Sequence, residues 1–287
     1  MYTKADLSLL KHPKIKSYRE ILTMFLESGF AFFTHAQYFE NPPYVGKAMY
    51  LRHDVDRNID TALIMARIEH ELGIRSTYFF LPPGSYEDNE NYYGAIIGSQ
   101  LVVNPKMIML AQDMVGLGHE IGLHNDFVQL ASKLGRDVGE VLAEQIAFFK
   151  KVGIPIKGTA AHGSKFVKSR GFVNYQIFSE CKKAKDVAKS IDLSGHRTFD
   201  LFSVSYKALG LEYEAYSIQR DSYISDSGAS VIVNNQAMPD ADIDTLKTMI
   251  ADKTSVVALF HPDWWKSPGK VEILLSRLKS NMQSFIN

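Results

Sequence analysis

Two patterns of apolar and polar positions alternate along the chain. One is a short, continuous or every-other-residue apolar run, as in a strand; the other places apolar residues three and four apart, as in an amphipathic helix. Phe30–Thr34 is a short apolar run, and Ala48–Val55 reads as a strand after the Pro42-Pro43 turn. Between Asn58 and Leu72, the residues Ala62, Met65, Ile68 and Leu72 share one helix face, and Gly73 supplies the stop. Arg75–Leu81 is rich in β-branched and aromatic residues until Pro82-Pro83-Gly84 breaks it. Asn104-Pro105 offers an N-cap and a proline at the first helical position, and Met107, Leu110, Ala111 and Met114 form that helix's buried stripe up to Gly116 and Gly118. Glu120–His124 is predicted as a strand. Val138, Val141, Leu142, Ile146 and Phe149 mark a helix ending at Gly153, and Ile156–Ala161 is a further strand.

Residues 165–230 mix aromatic strands, Tyr213–Ile218 and Ser222–Ile224, with loops, and nothing in them decides between a lid and a contact in a homo-oligomer. The alternation then returns, with a strand at Ser230–Val233, a helix over Asp240–Ile250, a strand at Ser255–Phe260 and a last helix over Pro268–Phe285. Strands alternating with helices imply an α/β fold built on a parallel sheet. The early strands lack the glycine fingerprint of a nucleotide-binding open sheet, which favours a closed or nearly closed βα barrel with its site at the C-terminal strand ends. The 287 residues fit a single domain, 1–287, with 1–45 as an N-terminal extension packed on it.

Composition narrows the function classes. Hydrophobic residues are 46% and charged ones 22%, ordinary for a globular chain. Lys+Arg and Asp+Glu number 32 each, so nothing suggests a nucleic-acid partner or a polybasic membrane surface. Cys181 is the single cysteine, which excludes an intramolecular disulfide and a cysteine-rich metal site. The first twenty residues hold no apolar signal core, and no apolar run approaches the ~18 residues of a spanning helix, so a cytoplasmic protein without an integral membrane segment is expected.

Four predicted strand ends carry polar groups suited to chemistry. In Leu51-Arg52-His53-Asp54-Val55-Asp56-Arg57, strand alternation points Asp54 and Asp56 the same way. Two neighbouring carboxylates are relieved by a divalent cation or a shared proton. The plainer alternative has Asp56 capping the next helix and Asp54 paired with Arg52 or Arg57. His124 ends Glu120–His124 and is followed by Asn125 and Asp126, as suits a metal-binding imidazole, whereas His119 lies at the opposite end and reads as structural. Thr159-Ala160-Ala161-His162-Gly163 ends in small residues that let a ligand approach the backbone, whose free N–H groups suit an oxyanion; its alternative is a plain turn. Val256–Phe260 delivers His261, and the only tryptophans, Trp264 and Trp265, follow; they suit stacking on a sugar ring or anchoring the last helix. Tyr86, Tyr92 and Tyr93 suit either a substrate groove or ordinary loop packing, the latter being favoured.

The succession Leu-Arg-His-Asp-Val-Asp, Leu-Gly-Ile-Arg-Ser-Thr-Tyr-Phe-Phe, Gly-His-Glu-Ile-Gly-Leu-His and Leu-Phe-His resembles the NodB-type polysaccharide deacetylases. It is most similar to a divergent branch with His-Asp-Val-Asp in place of Thr-Phe-Asp-Asp, often associated with surface-polysaccharide biosynthesis. The resemblance spans roughly residues 48–265. It implies a distorted, incomplete (β/α) barrel and a metal-assisted hydrolase, with a divalent metal, foremost Zn2+, and an acetylated sugar or glycan as substrate. By position, Asp54 resembles the general base, Asp56 the metal-binding aspartate, His124 the first metal histidine and His261 the histidine acid, with Asp226 as the loosely matched aspartate that tunes it. The second metal histidine of the family falls here on Val128, and the Arg-x-Pro-Tyr segment is replaced by Thr159–His162. The third ligand is therefore expected to be His162, with Asp126 as the alternative. Two further functions stay open: an inactive glycan-binding or scaffold barrel, motivated by the lost histidine, and a metal-dependent amidohydrolase acting on a non-sugar amide.

Overall fold

The computed structural model describes residues 10–12, 17–41, 44–83, 93–98, 100–194, 197–238 and 241–266. The expected last helix, Tyr86 and Tyr92 lie outside them. In chain order the described helices and strands are α1 (Tyr18–Glu27), β1 (Phe30–Phe33), α2 (His35–Glu40), β2 (Lys47–Val55), α3 (Ile59–Glu71), β3 (Thr77–Phe80), β4 (Gly94–Ile97), β5 (Gln100–Val103), α4 (Pro105–Gly116), β6 (Glu120–Asn125), α5 (Phe127–Leu134) and α6 (Val138–Lys151). There follow β7 (Gly158–Ala161), α7 (Lys165–Arg170), β8 (Ser190–Ser194), β9 (Arg197–Asp200), β10 (Tyr213–Glu214), β11 (Ser222–Ser225), β12 (Ile232–Val233), β13 (Gln236–Ala237), α8 (Ile243–Ile250) and β14 (Ser255–Phe260).

Local chemistry sets several of these bounds. Asn58 accepts from the Thr61 N–H and starts α3, and Gly73, at φ 71°, lets the chain leave it. Asn104 caps α4, with Pro105 at its first position. Helix α1, which the sequence reading passes over, carries a full capping box between Ser17 and Glu20. The expected strand Tyr213–Ile218 stops at Glu214, because the Glu214 side chain accepts the Tyr216 N–H and turns the chain.

The sheet order is β10-β7-β6-β3-β2-β14-β11-β12-β13, with β1 added beside β2. From β10 to β11 every pairing is parallel. The fold is thus α/β with a large, mostly parallel sheet. No pairing joins β10 to β11 among the described residues. Within the expected N-terminal extension, β1 joins the sheet by pairing in parallel with β2 over Lys47–Tyr50.

Strand alternation gives the sheet two different faces. Met49, Leu51 and Val55, with Tyr78, Phe80, Ile121, Leu123, Val256, Ala258 and Phe260, pack under the helices in two large apolar clusters. The same face holds a buried polar hub: Glu69 of α3 accepts from Tyr18, His53, Ser76 and Tyr78, the His53 and Tyr78 contacts being 2.7 and 2.9 Å. His53, inside the His-Asp-Val-Asp string, therefore points away from its neighbouring aspartates. The opposite face carries Arg52, Asp54, Phe79, His124 and Tyr213, all buried. Two glycines make room there for rings. A Cβ at Gly122 would lie 2.5 Å from Phe79, and one at Gly158 would lie 2.1 Å from Tyr213. No helix among the described residues is long and apolar enough to cross a membrane.

Candidate metal centre

The parallel strands end along one edge, and the side chains of the sheet's second face converge there. Asp54 is in the last turn of the β2 pleat and Asp56 follows it; His124 lies near the end of β6; His162 and His261 are the first residues after β7 and β14. His124 pairs in register with Ala160, which brings His162 beside it. The four polar strand ends expected from the sequence are thus one site.

Asp56, His124 and His162 each offer one donor atom, and the three lie within 4.8 Å of one another. His124 Nε2 is 3.4 Å from Asp56 Oδ1, His162 Nδ1 is 3.6 Å from the same oxygen, and the two imidazole nitrogens are 3.0 Å apart. Ligand atoms around a tetrahedral zinc ion, at bonds of roughly 2.0–2.2 Å, stand about 3.4 Å apart. The three edges match that spacing without rearrangement. The tautomer of His124 also fits: Nδ1–H donates to the Ala160 carbonyl at 2.9 Å, so Nε2 presents its lone pair to the cluster. Burial lowers the pKa of His124 to about 3, which keeps it neutral, as a ligand must be. Burial also raises the Asp56 carboxyl, to about 6, against the pull of His162. A carboxylate so poorly solvated gains from a cation at that position. The donor set of one carboxylate and two imidazoles suits a divalent ion such as zinc.

Asp54 stands beside this cluster, its Oδ2 3.6 Å from His124 Nε2 and 3.2 Å from the Arg52 guanidinium. Burial alone would raise its pKa, but the Arg52 guanidinium foremost, with His261, holds it at about 2, so it stays anionic. Arg52 is itself buried and braced: its guanidinium lies 4.9 Å from the Tyr216 ring centre, and it pairs with the Tyr216 hydroxyl at 3.4 Å. Sequence alternation already places Arg52 and Asp54 on one face, so the plain ion pair and the site residue coexist. The helix-capping alternative for Asp56 does not hold, since Asn58 caps α3.

His261 is oriented by Asp226. One Asp226 oxygen accepts the His261 Nδ1–H at 2.7 Å, both accept its backbone N–H at 3.0 Å, and the second accepts Trp265 Nε1–H at 2.9 Å. Burial would lower the His261 pKa, but the Asp226 hydrogen bond and charge, with Asp54 and Asp56, raise it to about 9. The ring is a cation at neutral pH.

Asp54, Asp56, His124, His162 and His261 line a cavity of about 770 Å³, which also takes in Gly163, Lys168, Tyr216, Tyr223 and Trp264. The two tryptophans part company. Trp264 is 36% exposed and lines the cavity. Trp265, expected as a substrate-binding residue, is not one: it is 1% exposed and packs edge-on against Tyr18 and Phe260. Asp126, the alternative ligand, is turned into the protein, where its Oδ1 accepts from Ser164 and Asn174, both at 3.0 Å. His119 bonds the Ala66 carbonyl at 2.9 Å and is structural, as expected. Tyr93 is buried at 1% exposure, which is packing rather than a groove. Tyr216, Tyr223 and Glu214 escape sequence reading as site residues, because the short aromatic strands predicted for them end in no polar motif like the other four; only the local excess of tyrosines marks the segment. Glu214, buried and raised to about 7 by that burial, accepts the Ala161 N–H at 3.0 Å and so fixes the strand end that carries His162. No family model matches this chain, and no curated protein or solved structure matches it either.

Proposed function

We propose that the chain is a metal-dependent hydrolase that removes an acetyl group from an amino sugar or a sugar-linked intermediate, of the NodB deacetylase kind. The observation that carries this is the triangle of Asp56, His124 and His162 at the spacing of tetrahedral ligands, flanked by an anion and a cation. The run of parallel pairings from β10 to β11 is compatible with an incomplete (β/α) barrel.

A divalent ion in this triangle supplies Lewis acidity and a nucleophile at neutral pH. The remaining work falls to the chain. Asp54, anionic and beside His124, takes the proton of the attacking water. His261 carries a proton held by Asp226 and delivers one to the leaving nitrogen through Nε2, since Nδ1–H is engaged. The backbone N–H groups of Ala161 and His162 are committed to Glu214 and to the Asn125 carbonyl. The Gly163 N–H meets no acceptor among the described residues and borders the cavity, so it is the donor available to a developing oxyanion. Trp264 and Tyr216, partly exposed at the cavity wall, offer ring faces to a sugar. Acetate and a free amino sugar are the products.

The test is a zinc titration followed by acetate release from N-acetylated hexosamines, free and carrier-linked. One zinc per chain and zinc-dependent acetate release are expected, with both lost in His124→Ala. Absence of zinc binding by the wild-type chain overturns the proposal and leaves a glycan-binding barrel.

A further inference from the structure

A second cavity of about 350 Å³ adjoins the first, and Tyr216 and Tyr223 line both. Its other walls are Ile218, Gln219, Arg220 and the Asn234-Asn235 turn. The turn joins β12 to β13 through two residues at φ 50° and 67°, a left-handed pair that asparagine tolerates. Asn234 ties the turn to β11: its side chain accepts the Tyr223 N–H at 2.8 Å, and its own N–H donates to the Tyr223 carbonyl at 2.8 Å. Tyr223, the wall between the cavities, is thereby held from both sides of its backbone.

Arg220 is the one charged residue in the lining of this second cavity. It is half-buried, its guanidinium rests 5.0 Å from the Tyr223 ring centre, and Nη1 donates to the Ile218 carbonyl at 3.1 Å. No other hydrogen bond or ion pair engages it among the described residues. The neighbouring carboxylate, Asp221, is turned the other way and accepts from the Thr254 and Ser255 N–H groups at 2.9 and 3.0 Å. A guanidinium has five donors in a fixed fork. Here one is used, the guanidinium lies over the Tyr223 ring, and the pocket contains amides and hydroxyls but no carboxylate.

We propose that this pocket is an anion-binding subsite, so that the substrate carries a carboxylate or phosphate group beside the acetamido sugar held at the metal centre. Arg220 takes the anion with its free N–H groups, and Asn235 lines the same pocket. This rests on the deacetylase assignment for the adjoining cavity, but its test does not need turnover.

Binding of N-acetylglucosamine, its 1-phosphate and N-acetylglucosaminuronic acid to the full chain, without added metal, is followed by NMR or calorimetry. A charge-assisted hydrogen bond of ~1.5–3 kcal/mol corresponds to roughly ten- to hundredfold in affinity. At least one anionic sugar is expected to bind about tenfold or more tightly than the neutral one. The preference should vanish in Arg220→Gln and persist in part in Arg220→Lys, whose stem still packs on Tyr223. The phosphate and uronate arms say which anion the pocket takes. Equal binding of all three sugars, no binding of any, or a preference that survives in Arg220→Gln overturns the proposal. Failure of zinc binding with an intact, Arg220-dependent anion preference would remove the hydrolase and leave the subsite.

Discussion

Replacing Asp226 by asparagine isolates the device that charges His261. In the wild-type chain three N–H groups converge on the Asp226 carboxylate, from the His261 ring, the His261 backbone and the Trp265 indole. Asparagine has one carbonyl oxygen. If that oxygen keeps the indole and the backbone N–H, the amide N–H₂ faces His261 Nδ1 and can only donate to it. Nδ1 must then be an acceptor, so the ring becomes neutral with its proton on Nε2. Without the carboxylate, burial is opposed only by the weaker pull of Asp54 and Asp56, and the pKa is expected to fall from about 9 to below the ordinary 6.5. A shift of that size is worth about 3 kcal/mol. At pH 7.5 the protonated fraction then drops roughly tenfold or more, and acetate release with it. The direct assay is an NMR titration of the His261 ring, which needs no substrate. A wild-type midpoint near 9 and a variant midpoint below 6.5 are expected. Stability gives a second readout. Because the fold raises the His261 pKa, its contribution is complete below about pH 6.5 and is lost as pH rises through about 9. The variant should lack that decline. A His261 midpoint that stays near 9 in Asp226→Asn would refute the assignment of Asp226 as the source of the charge.

Three further outcomes follow from the same structure. Zinc affinity should be level above pH 6 and fall about tenfold per unit below it, as the buried Asp56 carboxyl takes up its proton; an affinity unchanged between pH 5 and 7, by chelator competition, removes Asp56 from the ligand set. Glu69→Gln should cost about 3 kcal/mol in urea unfolding, since one carbonyl oxygen replaces a carboxylate serving Tyr18, His53, Ser76 and Tyr78; a loss under ~1 kcal/mol would mean that the hub is dispensable. Trp265→Ala should lose ~3–5 kcal/mol of stability, while Trp264→Ala should leave stability within ~0.5 kcal/mol and raise KM for a sugar substrate; thermal melts and steady-state kinetics separate the two, and the reverse pattern contradicts their placement.

The parts of this protein visible in its sequence are those with a short-range physical signal. Asn58, Gly73, Asn104 and Pro105 act on neighbours a few residues away, and the helices they bound appear where expected. The hairpins β4–β5 and β8–β9 were not expected: their strands are short, and their partners are only adjacent strands. Helix α5 has no counterpart in the sequence reading: its eight residues follow directly on the His124 string, and Val128 is weighed there only as the place of a missing histidine. The two tryptophans stand side by side in the sequence, yet a turn at Pro262–Trp264 leaves one on the cavity wall and sends the other into the core.

Alternation along β2 determined by itself that Arg52, Asp54 and Asp56 share a side and His53 does not, because successive strand side chains must point oppositely. Which strand lies next to which was decided only by the folded sheet. Contacts between residues 38 positions apart, such as His124 with His162, depend on pairing of whole strands, and no local propensity encodes that pairing. The same holds for charge. A lone histidine in a sequence has an ordinary pKa, and only the Asp226 hydrogen bond and charge, acting against burial, make His261 a cation, while burial keeps His124 neutral.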